Sequence, residues 1–146
     1  MDSHPENSIR LDEYLTSTLE SVDRAEAEVS RIAAEGGFAE EEVFQIGMAV
    51  REGMVNAVVH GNRYSEKKKV RLTVISEPAR FVIRIEDEGE GFDLQSIPDP
   101  TAEENLLRQS GRGLLLIRSF VDEVRTVAGH THGTALELIK HRNKAG

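Results

Sequence analysis

Cysteine and tryptophan are both absent from this chain of 146 residues. Without cysteine the protein has no disulfide bond, no thiolate metal ligand and no cysteine nucleophile, so its fold depends on the hydrophobic core. Aromatic residues make up only 5% of the sequence. A binding pocket in this chain would therefore rely on hydrogen bonds and aliphatic walls more than on ring stacking.

Long hydrophobic runs are also absent. No stretch approaches the roughly 18 consecutive apolar residues that a membrane-spanning helix needs. The first residues, MDSHPE, do not combine a basic segment with an apolar run, as a secretion signal would. The sequence therefore predicts a cytoplasmic protein that makes no contact with a membrane.

Basic charge is scarce in the first part of the chain. Of the formal net charge of -8, residues 1–42 carry -9 (12 acidic, 3 basic) and residues 43–146 carry +1 (14 acidic, 15 basic). An acidic chain without a basic patch is poorly suited to bind nucleic acid phosphates. We expect no direct nucleic acid binding, and we expect the acidic first 42 residues to form an outer face available to a protein partner.

The length corresponds to one domain spanning residues 1–146, since no linker, repeat or low-complexity tract divides the chain. Apolar spacing predicts a strand at 9–17, a helix capped by Ser21 and ended by Gly36, a helix from Glu40 to Gly61, strands at 67–76 and 80–86, a helix at 114–121, and strands at 122–128 and 134–141. This order favours a two-layer α/β sandwich with a mixed, mainly antiparallel sheet and helices on one face.

Within the second predicted helix, Glu52 and Asn56 are polar residues one turn apart in a largely apolar segment. At about 100° per residue they lie opposite the face formed by Val43, Val50 and Met54. A carboxylate and a carboxamide in such surroundings suit a polar ligand or hydrated Mg²⁺, which binds few protein oxygens. Taken alone, the pair is equally consistent with an exposed polar face of a solvated helix.

Two glycine-containing motifs follow. Asp87 ends a predicted buried strand just before Gly89 and Gly91, where it can accept a hydrogen bond from an exocyclic amine such as that of adenine. The segment 110–113 (SGRG) precedes a helix, and free N–H groups at a helix start favour phosphate binding. Alone, the first motif is also typical of an acidic glycine turn and the second of a flexible loop.

Together the three motifs resemble the nucleotide-binding fold of gyrases, 90-kDa heat-shock chaperones, histidine kinases and MutL, called the GHKL or Bergerat fold. The chain is most similar to the small anti-sigma factor serine kinases of the RsbW type. The matching segments are 52–61 (EGMVNAVVHG), 87–93 (DEGEGFD) and 110–113 (SGRG), followed by Asp122-Glu123-Val124.

The resemblance implies an ATP site that also binds Mg²⁺. It implies that Glu52 is the catalytic base or orients the nucleophile, and that Asn56 helps bind Mg²⁺. Asp87 would accept a hydrogen bond from the adenine amine, while Gly89 and Gly91 shape the base pocket.

The resemblance also implies an ATP lid at about 93–113 and places the hydroxyl of Thr134 near adenine. The lid residues at the phosphates would be Ser110, Gly111, Arg112 and Gly113. Phosphoryl transfer depends mainly on positioning and charge stabilisation, which such residues supply.

The implied activity is an ATP- and Mg²⁺-dependent protein serine kinase that phosphorylates a STAS-domain anti-sigma-factor antagonist and sequesters a sigma factor. The resemblance leaves homodimer formation open. Two alternatives also stay open: a non-catalytic nucleotide-binding module for partner switching, and a stand-alone catalytic domain of a two-component-like phosphotransfer system.

Overall fold

The computed structural model describes residues 8–89, 113–128 and 133–142. The elements within these ranges are the strands β1 (Ile9–Thr16), β2 (Lys69–Ser76), β3 (Arg80–Glu86), β4 (Glu123–Ala128) and β5 (Thr134–His141), the helices α1 (Leu19–Glu35), α2 (Glu40–Val55) and α3 (Gly113–Phe120), and a π-helical turn (Asn56–Gly61) that continues α2. No helix in these ranges is both long and apolar enough to cross a membrane.

The five strands form one sheet in the order β1-β2-β3-β5-β4. Each pairing between them is antiparallel, so the prediction of a mixed sheet is wrong in that detail. The reason lies in the connections. Two helices separate β1 from β2, and this even number returns the chain to the end of the sheet that it left, so β2 runs back along β1.

The helices cover one face of the sheet and form the main core with it. Val22, Val29, Ile46 and Val50 of the helices belong to the same buried cluster as Leu72, Val74, Ile83, Ile85 and Leu138 of the strands. Gly53 allows close contact between the layers, because a Cβ there would lie 2.7 Å from Cδ1 of Ile85. The two-layer α/β architecture is therefore confirmed.

The opposite face of the sheet carries a smaller apolar cluster of Ile75, Val82 and Ile139. Ile75 pairs with Val82, and Val82 pairs with Ile139, on three neighbouring strands. Because successive strand residues point to opposite faces, these three residues lie opposite the main core.

The boundaries of both long helices differ from those predicted. The N-cap of α1 is Thr18 and not Ser21, and the Thr18 hydroxyl accepts a hydrogen bond from the Ser21 N–H at 3.2 Å. The second helix changes at Asn56 from α-helical to π-helical hydrogen bonding. The sequence does not reveal this change in hydrogen bonding, since apolar residues continue at helical spacing up to Gly61.

Arg142, directly after β5, connects three parts of the chain at one end of the sheet. Its Nη1 donates to Gly36 O at 2.7 Å, its Nε to Glu77 O at 2.9 Å and its Nη2 to Ser76 Oγ at 2.6 Å. The guanidinium carbon also lies 4.7 Å from the centre of the Phe38 ring. The three oxygens that the Arg142 side chain binds here are all uncharged.

Many acidic residues of the first 42 are paired with arginines. Arg51 of α2 donates to Asp23 at 2.8 Å and to Glu26 at 2.9 Å on α1. Within α1, Arg24 donates to Glu28 at 2.9 Å. Much of the acidic charge is thus balanced within the fold, and the expected partner surface on this side stays a prediction.

Candidate functional site

Asp87 lies at the end of the sheet opposite Arg142, directly after β3. Its backbone N–H donates to Thr134 O at 3.0 Å. Its carboxylate Oδ1 accepts hydrogen bonds from Gly89 N at 2.9 Å and from Thr134 N at 3.2 Å. The second carboxylate oxygen, Oδ2, has no hydrogen-bonding partner among the residues that the structure describes. One oxygen of Asp87 thus holds the local fold, and the other is available to a ligand.

Three glycines surround Asp87 at distances that no side chain would permit. A Cβ on Gly61 would lie 2.5 Å from Oδ2 of Asp87. A Cβ on Gly89 would collide with the carbonyl oxygen of Gly61, and one on Gly133 with that of Asp87. Gly133 also has φ +78, which other residues rarely adopt. The close approach of these backbone segments to Asp87 therefore depends on the lack of side chains at the three positions.

Burial raises the pKa of Asp87 above its ordinary value. The backbone hydrogen bonds from Gly89 and Thr134 oppose this shift because they favour the charged form, as does the charge of Lys68, while the charge of Glu86 adds to it. A half-buried carboxylate with a raised pKa is a candidate for ligand binding.

Glu52 and Asn56 lie on the helix that leads to Gly61. Both side chains are half-buried, and neither has a hydrogen-bonding partner within the described ranges. Between them Gly53 packs on Ile85, two residues before Asp87, so this helix lies over the end of β3. π-helical turns such as the one starting at Asn56 occur frequently at functional sites.

These side chains fit a Mg²⁺ ion only in part. No group of three or more His, Asp or Glu side chains that could hold a metal occurs within residues 8–89, 113–128 and 133–142. Mg²⁺ commonly binds one or two protein oxygens together with water and substrate phosphates. The free amide of Asn56 fits that coordination, provided that a nucleotide supplies the phosphates.

Of the predicted site residues, Asp87, Gly89 and Thr134 are in direct contact. Gly113 is the first residue of α3. Gly91, Ser110, Gly111 and Arg112 lie outside the described residues, as does the predicted lid up to residue 112.

Sequence reasoning missed three residues next to Asp87. The sequence predicts that Gly61 ends the second helix and predicts no role for Asn62, although Gly61 contacts the Asp87 carboxylate and Asn62 is 1% exposed. Gly133 falls between the predicted strands at 122–128 and 134–141. A signal was present for Gly61, because it ends the same motif that contains Glu52 and Asn56.

Comparison with known proteins agrees with this geometry. The family model of the histidine kinase-like ATPase domain matches residues 15–140. Anti-sigma F factors of Bacillus thuringiensis (strain Al Hakam), Bacillus mycoides (strain KBAB4) and Bacillus anthracis (strain A0248) are each 33% identical over 103 residues, which cover 69% of this chain and 70% of the relative.

The fold is also similar to a solved structure, that of the RsbU and RsbW domains of Rv1364c from Mycobacterium tuberculosis. The TM-score is 0.63 at 20% identity, and the match covers 89% of this chain and 31% of that one. At this identity the likeness concerns the fold alone. The family match over most of the chain and the identity to the anti-sigma F factors show more than the fold: the chain belongs to the histidine kinase-like ATPase domain family and is a relative of the anti-sigma F factors.

Proposed function

We propose that this protein is an ATP- and Mg²⁺-dependent serine kinase that phosphorylates a STAS-domain antagonist and sequesters a sigma factor. The main support for nucleotide binding is the Asp87 carboxylate. One of its oxygens is fixed by two backbone N–H groups, and the other is free beside Gly61. A half-occupied carboxylate of this kind suits a ligand with an N–H donor, such as the adenine amine.

In this proposal Asp87 accepts a hydrogen bond from the exocyclic amine of adenine. A base without that donor would leave a buried polar oxygen unpaired, at a cost of about 1–3 kcal/mol. Thr134 lies beside Asp87 and offers its hydroxyl to the same base. The glycines at 61, 89 and 133 allow the neighbouring backbone to approach Asp87 closely and so hold this residue in place.

The proposed catalytic residue is Glu52, whose carboxylate accepts or orients the proton of the attacking serine hydroxyl. Its half-buried position without a partner in the described part of the chain suits a general base. Asn56, one turn later, would help to hold Mg²⁺, which neutralises phosphate charge in phosphoryl transfer. Residues 93–113 would form the lid, with Ser110, Gly111, Arg112 and Gly113 at the phosphates.

The sigma factor and the antagonist enter the proposal from the relatives, which are named anti-sigma F factors. Cytoplasmic location is part of the same proposal, because sigma factors act there. Incubation with Mg-ATP and candidate STAS-domain proteins tests the phosphorylation directly. Phosphoserine on a cognate antagonist is the expected result, and its absence with every candidate despite nucleotide binding would contradict the kinase assignment.

The variant Glu52→Gln separates a kinase from a non-catalytic nucleotide-binding module. We expect phosphoryl transfer to fall at least 100-fold, as for loss of a general base, while ATP affinity changes less than about threefold. Glu66→Gln is the matched control, because Glu66 is exposed and belongs to none of the site motifs. Equal loss of affinity and transfer would show that Glu52 contributes to binding and not to catalysis.

A further inference from the structure

Asn62 is a buried polar residue to which no role has been given so far. It follows the π-helical turn directly and is only 1% exposed. Its Oδ1 accepts a hydrogen bond from Glu88 N at 2.8 Å, and its Nδ2 donates to Ser17 Oγ at 2.9 Å and to Lys69 O at 3.0 Å. The side-chain amide thus has partners on both its oxygen and its nitrogen.

The partners of Asn62 belong to three separate segments of the chain. Ser17 lies between β1 and α1, Lys69 begins β2, and Glu88 follows β3. The Ser17 hydroxyl donates its own proton to Lys68 O at 2.6 Å, so its oxygen is free to accept from Asn62. Asn62 therefore links the end of α2 to three strand ends at the site.

The hydrogen bond between Asn62 and Glu88 holds the peptide group that follows Asp87. On one side of that residue, its own N–H is held by Thr134 O. On the other side, the N–H of Glu88 is held by Asn62 Oδ1. The residues before these two, Gly61 and Asp87, are also in contact, since Gly61 lies against the Asp87 carboxylate. Because the peptides on both sides of Asp87 are fixed and Gly89 N and Thr134 N bind its Oδ1, the direction of the second oxygen, Oδ2, is fixed as well.

We propose that Asn62 is a positioning residue that orients the free oxygen of Asp87 and thereby sets the preference for a base with an exocyclic amine. This inference rests on the proposed adenine-binding role of Asp87. Asn62 itself does not touch the base. Its effect on the site passes through one hydrogen bond, from Glu88 N to Asn62 Oδ1.

The test compares ADP with purine riboside 5′-diphosphate, which lacks the 6-amino group. The measured quantity is the ratio of the two dissociation constants, determined by calorimetry with the full chain. For the wild type we expect ADP to bind about 10-fold to 100-fold more tightly. For Asn62→Ala we expect this ratio to fall at least fivefold, because the carboxylate is no longer held towards the amine.

Ser17→Ala is the matched control. It removes one partner of Asn62 but leaves the bond to Glu88, so it lowers stability and keeps the ratio near that of the wild type. A purely structural Asn62 would make the two variants alike, with both nucleotides weakened equally. That outcome, with an unchanged ratio in Asn62→Ala, overturns the inference.

If the alanine variant does not fold, two other variants make the same test. Asn62→Asp keeps an acceptor oxygen for Glu88 N and should retain the ratio, whereas Asn62→Gln displaces the acceptor by one methylene and should reduce it. Equal ratios in these two variants would also overturn the inference. A wild-type ratio near one overturns the adenine-binding role of Asp87 together with the inference, whereas a high wild-type ratio that Asn62 variants keep overturns the inference alone.

Discussion

At one end of the sheet Arg142 donates three side-chain hydrogen bonds to uncharged oxygens, whereas at the other end Asp87 uses one carboxylate oxygen and leaves the second free. The first end also has an aromatic contact, in which the Phe38 and Phe81 rings meet edge to face with their centres 5.3 Å apart. The second end has glycines at three positions where a side chain would collide with the backbone or with the Asp87 carboxylate. We therefore expect the Arg142 side chain to contribute more to stability than the Asp87 carboxylate, whose free oxygen serves binding at the expense of stability.

The largest expected effect is on the Arg142 end. Arg142→Ala removes three hydrogen bonds from a charged donor and a cation–π contact, so the free energy of unfolding should fall by about 2–3 kcal/mol in urea denaturation. Nucleotide affinity measured well below the unfolding temperature should not change. Arg125→Ala is the control, since its exposed pair with Glu123 contributes about 0.5 kcal/mol or less. If Arg142→Ala lowers the free energy of unfolding no more than Arg125→Ala does, the Arg142 end has no special role in stability.

A substitution of Asp87 is expected to have the opposite effect and to raise stability. Because the pKa of Asp87 is raised in the folded protein, its charged form destabilises the fold at neutral pH, and this penalty is absent below the ordinary aspartate pKa of about 4. Asp87→Asn should therefore unfold at a higher temperature than the wild type at pH 7, with a difference that shrinks as the pH falls. The amide oxygen can still accept from Gly89 and Thr134.

The same Asp87→Asn variant should lose ATP affinity by about 10-fold to 100-fold, because a donor replaces the oxygen proposed to face the adenine amine. Thermal unfolding at several pH values and calorimetric titration check the two effects in one preparation. Lower stability at neutral pH would show that the Asp87 carboxylate contributes to the fold as Arg142 does.

The smallest expected effect concerns the connection after the π-helical turn. Arg63 and Tyr64 have φ of 50° and 59°, which cost non-glycine residues about 1–2 kcal/mol each. Arg63→Gly removes that cost but adds chain entropy to the unfolded state, so the net gain in stability should be about 0.5 kcal/mol. Glu66→Gly, a nearby control without positive φ, should not stabilise the protein. A destabilising Arg63→Gly would mean that the Arg63 side chain has a structural role.

Much of the fold could be predicted from local patterns. The alternation in β2 and β3 and the turn at residues 77–79 predicted this hairpin within two residues of its observed bounds. The start of α1 was three residues off, because Thr18 and Ser21 both suit a cap and are bonded to each other. A hydroxyl pattern alone does not show which of two such residues is the cap.

The parts that could not be predicted depend on contacts distant in sequence. The Asn62 side chain bonds Ser17, 45 residues away, and Glu88, 26 residues away, and neither leaves a mark near Asn62 in the sequence. Local patterns therefore predict the end of a helix at Gly61 and no role for Asn62. Asp87, Gly89 and Thr134 came from the family resemblance and the motif, and the structure brings these three residues into contact.

The π-helical turn bears on which changes of chain length this protein can tolerate. Six residues, Asn56–Gly61, lie between the end of α2 and Asn62. Deletion of one of them would move Asn62 into the place of Gly61 and put its side chain against the Asp87 carboxylate. Natural variation in this turn should consequently take the form of substitutions, and homologues that keep the glycine beside the aspartate should have neither insertions nor deletions there.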